Sequence, residues 1–236
     1  METETGLEMR VGDVAIETKG LLFDMDGVLI SSIGSVERCW KRWCELYDVP
    51  DAENFQVQHG VRALDLMRSL KPNWSEAQYA EGLRVIEDLE IEDTGDIVVL
   101  PGARALLERL PLERWAIVTS ATHRLLVARL AAAGLPVPAR LISGDMVERG
   151  KPDPEPYRRG AQMLGLTPGE CVVVEDAPSG VGAGLAAGCR VLGVLNTHEV
   201  SELSGATWIV ESLEKVGLRV SADGLELQFQ AVVAES

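Results

Sequence analysis

Six short apolar runs recur from residue 20 onward: Leu21 to Asp24, Trp115 to Thr119, Leu141 to Ser143, Val172 to Glu175, Val191 to Leu195 and Trp208 to Val210. After three of them comes an amphipathic stretch, Arg124 to Ala133, Tyr157 to Leu164 and Val181 to Ala187, closed by Gly134, Gly165 and Gly188. Glycine suits that place because a helix end often needs a left-handed residue. Strands this apolar must be buried on both faces, and their alternation with helices is the βαβ rhythm. The pattern predicts an α/β fold, a doubly wound parallel sheet with helices on both faces.

One stretch breaks the rhythm. From about Ser35 to about Val99 the pattern is helical, with Trp40, Trp43, Trp74 and Tyr79 and no convincing buried strand. It reads as an all-helical domain, residues 32–101, inserted into a core made of 1–31 and 102–236. Ser31 to Gly34 and Pro101-Gly102 are its plausible hinges. The tail alternates from Leu218, turns at Ala222-Asp223-Gly224 and alternates again through Leu225 to Gln230, a hairpin signal. Val11 to Thr18 could add a strand beside it.

With 46% hydrophobic and 25% charged residues, the chain has ordinary globular composition, which excludes disordered and fibrous classes. No apolar run approaches the roughly 18 to 20 residues that cross a bilayer. The acidic first twenty residues lack the apolar core of a secretory signal, so a cytoplasmic location is expected. Cys39, Cys44, Cys171 and Cys189 show no metal or disulfide spacing and read as reduced thiols. The net charge of −15, from 22 basic and 37 acidic residues, repels nucleic acid and anionic lipid. Any anionic substrate must therefore meet a locally positive site.

Four segments carry chemistry. The first, Leu21-Leu22-Phe23-Asp24-Met25-Asp26-Gly27, ends a strand in two carboxylates, at the place where open α/β sheets bind ligands. Taken alone it also fits an Asx-rich turn. A second acidic pair, Glu175-Asp176, ends the run Cys171 to Val174. Converging Asp24, Asp26, Glu175 and Asp176 would be costly to bury without a cation, and oxygen ligands point to a hard divalent ion, Mg2+. The third segment, Gly150-Lys151-Pro152-Asp153-Pro154-Glu155-Pro156-Tyr157, brackets Lys151 between rigid residues and can complete the charge balance. In the fourth, Thr119 and Ser120 follow a strand, where they could hold an anion or cap the next helix.

In their order, DMDG, VTS, GKPDPEPY and VVVEDAPSG, these segments resemble the haloacid dehalogenase superfamily of phosphotransferases over about residues 20 to 210. The resemblance implies a Rossmann-like core with a helical cap. It implies Asp24 as a nucleophile that forms an aspartyl-phosphate and Asp26 as general acid and base. Thr119 and Ser120 would bind the phosphate, and Lys151 would orient nucleophile and phosphate. Mg2+ would be held by Asp24, the Asp26 carbonyl and Asp176, with Glu175 acting through water or from behind these ligands. Ser31 departs from the family's commonest pattern, which often has an aspartate there.

The insertion resembles the caps of β-phosphoglucomutase and small sugar-phosphate phosphatases. His59-Gly60-Val61-Arg62 looks like the specificity loop of the glycerol-phosphate and 2-deoxyglucose-6-phosphate phosphatases, so His59, Gly60 and Arg62 are expected to meet the substrate. The expectation is thus a Mg2+-dependent phosphatase of a small sugar or polyol phosphate, monomeric or weakly dimeric. A phosphosugar mutase is the nearest rival. Dehalogenation is disfavoured because it needs no metal, and a binding module without turnover because all four elements are present.

Overall fold

Leu21, Leu22 and Phe23 are wholly buried, which requires apolar cover on both sides of the strand they form. The computed structural model describes residues 10–233 and supplies that cover. In chain order the elements are β1 (Arg10–Thr18), β2 (Gly20–Phe23), β3 (Ile30–Ser31), α1 (Ile33–Leu46), α2 (Ala63–Leu70), α3 (Glu76–Glu92), β4 (Val98–Val99), α4 (Ala103–Arg109) and β5 (Trp115–Val118). They continue as α5 (His123–Ala132), β6 (Leu141–Ile142), α6 (Glu155–Met163), β7 (Cys171–Glu175), α7 (Pro178–Ala187), β8 (Arg190–Val194), β9 (Trp208–Val210), β10 (Gly217–Val220) and β11 (Leu225–Val233).

The six expected strands form one parallel sheet in the order β6-β5-β2-β7-β8-β9. The order reverses on either side of β2, so the crevice where such sheets bind ligands opens at the carboxyl ends of β2, β5 and β7. Alternate side chains of each strand feed two different cores. Leu22, Val118 and Val173 pack with Tyr157 and Ala161 of α6 and Val181 and Ala183 of α7. Leu21, Phe23, Ile117 and Val174 pack with Leu106 of α4 and Leu126 of α5 on the other face.

That second face differs from the expectation of helices alone. The C-terminal hairpin and β1 form an antiparallel sheet of order β1-β11-β10, whose Leu225, Leu227 and Phe229 join the same core. Trp208 and Phe229 meet edge to face with centroids 6.1 Å apart, tying β9 to β11. The strands expected at Val11 to Thr18 and in the tail thus pack on the sheet.

Helices α1, α2 and α3 surround a separate cluster built on Trp40, Trp43, Met67, Tyr79 and Ile86. Trp43 is buried and satisfies its ring N–H by donating to the Gly82 carbonyl at 2.9 Å. This helical layer joins the rest through β3 and β4, which pair antiparallel for two residues each. A ribbon so short leaves no periodicity to read. Among the described residues no helix is long and apolar enough to cross a membrane.

Candidate active site

The turn after β2 determines where the first two acids go. Gly27 has φ +81°, and a Cβ there would lie 1.9 Å from Oδ2 of Asp176, so only glycine fits between the two strand ends. Its N–H donates to the Ile30 carbonyl at 2.7 Å, which folds the chain back at once. Asp24 therefore remains over the sheet, whereas Asp26 faces Ser32 and α5.

Asp24, Lys151, Glu175 and Asp176 come together in the interior. Lys151 Nζ lies 2.9 Å from Asp24 Oδ1 and 2.7 Å from Glu175 Oε1. Glu175 Oε1 also accepts the Tyr157 hydroxyl at 2.7 Å, and its Oε2 accepts the N–H groups of Asp176 at 2.9 Å and Ala177 at 3.1 Å. All four acceptor positions of Glu175 are used within the protein, so it anchors Lys151 and the turn after β7. Tyr157, quoted in the sequence motif without a role, is thereby part of the site; its ring centroid lies 5.0 Å from Lys151 Nζ.

Electrostatics explain why this cluster needs more positive charge. Carboxylate oxygens of Asp24, Glu175 and Asp176 lie within 4.8 Å of one another. Burial pushes Asp24 up to about 7 against the pull of Lys151, and Glu175 adds to the rise. Burial, then Glu175 and Asp24, raise Asp176 well above the ordinary carboxylate range. Burial alone would lower Lys151, but Asp24 and Glu175 keep it above its ordinary value, so it stays charged. One ammonium among three carboxylates leaves a deficit that a hard cation with oxygen ligands fits.

Four carboxylates were expected to converge here, and three do. The Asp26 side chain points away: Oδ1 accepts the Ser32 hydroxyl at 2.6 Å, and Oδ2 accepts Nη1 of Arg129 at 2.7 Å. With 27% of its surface exposed, it faces the cleft between the sheet and the helical layer. Only its backbone carbonyl could serve a metal with the others.

The end of β5 contributes Thr119 and Ser120, both lining the cleft. Neither caps α5, which begins at His123; Thr122 does so, accepting the Leu125 N–H. Thr119 Oγ1 accepts the Ala121 N–H at 3.1 Å, and the Ser120 hydroxyl donates to the Gly60 carbonyl at 2.8 Å. Gly60 has φ +82°, and a Cβ would lie 2.4 Å from Ser179 Oγ, so glycine lets this loop of the helical layer reach the strand ends.

His59 lines the same cleft, whereas Arg62 does not. Expected to reach the substrate, Arg62 is instead buried and pointed between loops. Its Nε and Nη2 donate to Asp65, Nη1 to the carbonyls of Gly144 and Val147, and Nη2 again to that of Glu148. Every guanidinium nitrogen is engaged, so Arg62 clamps its loop to the segment 144–148. A Cβ on Gly150 would sit 2.5 Å from Arg62 Nε, which shows how closely the clamp lies beside Lys151.

Several contributors lie outside the expected set. Thr197 donates to Asp176 Oδ2, and His198 Nδ1 lies 3.0 Å from the Asp176 carbonyl. His198 meets His59 edge to face at 6.4 Å; burial, then His198, lower the His59 pKa. Arg129 and Glu90, at the end of the cleft beyond Asp26, are both buried. An isolated arginine or glutamate in a helical pattern gives no signal that packing will turn it inward.

A model of the haloacid dehalogenase-like hydrolase family matches residues 18–188. Hexitol phosphatase A of Escherichia coli is 41% identical over 208 residues, covering 87% of this chain and 96% of its own. Glycerol-1-phosphate phosphohydrolase 2 of Saccharomyces cerevisiae is 31% identical, covering 92% of each chain. The crystal structure of a hydrolase from Pseudomonas syringae superimposes with a TM-score of 0.76 at 25% identity, over 83% of this chain and 94% of that one.

Proposed function

The chain belongs to the haloacid dehalogenase-like hydrolase family, and from that premise we propose that it is a Mg2+-dependent phosphatase of small sugar or polyol phosphate monoesters, working through an aspartyl-phosphate. The single observation that carries this reading is the contrast between its two aspartates. Asp24 is buried against Lys151 among carboxylates, while Asp26 is turned to the cleft on Ser32 and Arg129. A nucleophile and a separate proton carrier require such a division.

In this mechanism a carboxylate oxygen of Asp24 attacks phosphorus, and the bond to the leaving alcohol breaks as Asp26 gives that oxygen a proton. Asp26 then takes a proton from water, whose oxygen attacks the aspartyl-phosphate, releases phosphate and restores Asp24. Lys151 fixes the Asp24 carboxylate and offsets charge as the phosphate approaches. Thr119 and Ser120 line the cleft wall where phosphate oxygens would lie. Asp24, Asp176 and the Asp26 carbonyl would hold Mg2+, with Glu175 behind them; when bound, the ion neutralises carboxylates and phosphate so that one anion can meet another.

The substrate class rests on the phosphatases of hexitol and glycerol phosphates that this chain resembles. Residues 32–101 are proposed as a cap over a core of 1–31 and 102–236, with the loop at His59 and Gly60 and apolar Trp40 and Leu83 enclosing the leaving group. A cytoplasmic monomer or weak homodimer suits this reading. Phosphate release is measured over sugar, polyol and nucleotide monophosphates, with Mg2+ or chelator, for the wild type and Asp24→Asn. The expected result is Mg2+-dependent release from polyol and sugar esters that Asp24→Asn abolishes. Undiminished release by Asp24→Asn, or turnover that requires a bisphosphate activator, overturns the proposal.

A further inference from the structure

Arg129 is 5% exposed, and the partners of its guanidinium are the side chains of two acids, Asp26 and Glu90. Nη1 donates to Asp26 Oδ2 at 2.7 Å, Nη2 lies 3.4 Å from Glu90 Oε1, and Nε is buried without a hydrogen-bond partner. Glu90 is 4% exposed and comes from α3 of the helical layer, while Arg129 comes from α5 beside the sheet. Three polar groups from three segments thus form one chain, Asp26–Arg129–Glu90, along the wall of the substrate cleft.

Stability is a poor explanation for this arrangement. A buried ion pair is often no better than apolar residues of the same volume, and a buried N–H left unpaired is a further cost. What the arrangement does provide is orientation. Asp26 has one donor on each carboxylate oxygen, Ser32 on Oδ1 and Arg129 on Oδ2, which together fix the plane of the carboxyl group. Arg129 has a planar head that Glu90 holds from its other side.

We propose that Arg129 is the positioning residue of Asp26, and that Glu90 positions Arg129, so that α3 of the helical layer helps to aim the proton carrier at the leaving oxygen. The inference rests on the reading of Asp26 as general acid. It assigns no substrate contact to Arg129, which acts through Asp26.

Leaving-group dependence separates this role from a structural one. An alkyl alcohol needs a proton as it departs, whereas a nitrophenolate leaves without one. Values of kcat/KM, which report steps up to release of the alcohol, are compared for glycerol 1-phosphate and 4-nitrophenyl phosphate in the wild type, Asp26→Asn, Arg129→Met and the double variant. Misaiming an acid that contributes about 10²- to 10⁴-fold is expected to cost Arg129→Met about 30-fold on the glycerol ester. On the aryl ester the expected loss is below about threefold, because little acid catalysis is at stake there. Glu90→Gln shows the same selectivity with a smaller loss, and Arg129→Met adds nothing in the Asp26→Asn background.

Equal losses on the two esters for Arg129→Met, beside a selective loss for Asp26→Asn, overturn this inference alone. A loss that persists in the Asp26→Asn background also overturns it, because Arg129 would then touch substrate itself. Equal losses for Asp26→Asn overturn the general-acid reading beneath it. Arg129→Met leaves the carboxylates of Asp26 and Glu90 without the cation they share, so the comparison is repeated in Arg129→Met/Glu90→Gln, which removes one of those charges; the same selective loss is expected and a uniform one overturns the inference.

Discussion

Lys151 sits 2.9 Å from Oδ1 of Asp24, both side chains buried, and among the described residues it is the one cation paired with the three crowded carboxylates. Removing one partner of a buried pair leaves the other uncompensated, at a cost of about 3–5 kcal/mol. Lys151→Met is therefore expected to lose turnover and, without metal, to melt roughly 10 °C lower, at about 2–4 °C per kcal/mol for a chain of this size. Addition of Mg2+ should recover part of that fall, because it supplies positive charge to the same carboxylates. Thermal unfolding with chelator and with Mg2+ checks this; a variant that melts with the wild type shows that Lys151 does not balance the cluster.

The same crowding predicts stabilisation of the wild type by metal. A ligand bound only to the folded state at a hundred times its Kd contributes about 2.7 kcal/mol, a rise in Tm of roughly 5–11 °C here. Asp176→Asn should shrink the rise by more than half, because Asp176 is one of the three converging carboxylates. Identical melting in Mg2+ and in chelator would contradict a divalent site.

The parts of this molecule that were legible in the sequence are those where one residue's environment is set by its neighbours in the chain. Burial on both faces requires uninterrupted apolar residues, so every strand of the parallel sheet could be read from its run, and Asp24, Glu175 and Asp176 from their place at strand ends. Lys151 was legible because prolines fix the backbone on its far side. Asp26 was placed with the metal-facing acids because it is two residues from Asp24; what turns it away is the tight return at Gly27 and a donor on α5, far along the chain. Arg129 and Glu90 carry no local mark, since the stretch of α5 reads as an amphipathic helix and that of α3 as helical whichever charged residue packs inward. Arg62 was expected near the substrate on a loop that does approach the site, but its side chain has partners on residues 144–148.

Those partners predict the consequence of losing Arg62. In Arg62→Ala the carbonyls of Gly144 and Val147 lose their donor in a buried place, and that of Glu148 in a part-buried one, at about 1–3 kcal/mol for one buried unsatisfied group and less than additively for two. A substrate-binding arginine would discriminate between esters, whereas a clamp affects all of them together. The expected outcome is a lower Tm and losses of kcat/KM that agree within about threefold between a polyol phosphate and an aryl phosphate. A large selective loss on the polyol phosphate, with Tm unchanged, would place Arg62 on the substrate after all.

Glu90 makes a prediction in pH. Burial pushes its carboxyl up from 4.5 to about 7, with Arg129 opposing the rise and Asp26 and Glu87 adding to it. Because the folded pKa lies above the unfolded one, the folded state holds this proton more tightly. The associated stability is fully present below the unfolded value and is lost as pH rises through about 7. Glu90→Gln cannot ionise and so has no such loss. Between pH 5 and pH 8 the wild type should lose roughly 2–3 kcal/mol relative to Glu90→Gln, from the part of the rise from 4.5 to about 7 that lies above pH 5, at about 1.4 kcal/mol per pH unit. Urea unfolding of both proteins at the two pH values measures the difference. Parallel profiles would mean that Glu90 ionises in the fold as easily as in water, and a slope of opposite sign would mean that the attraction of Arg129 outweighs its burial.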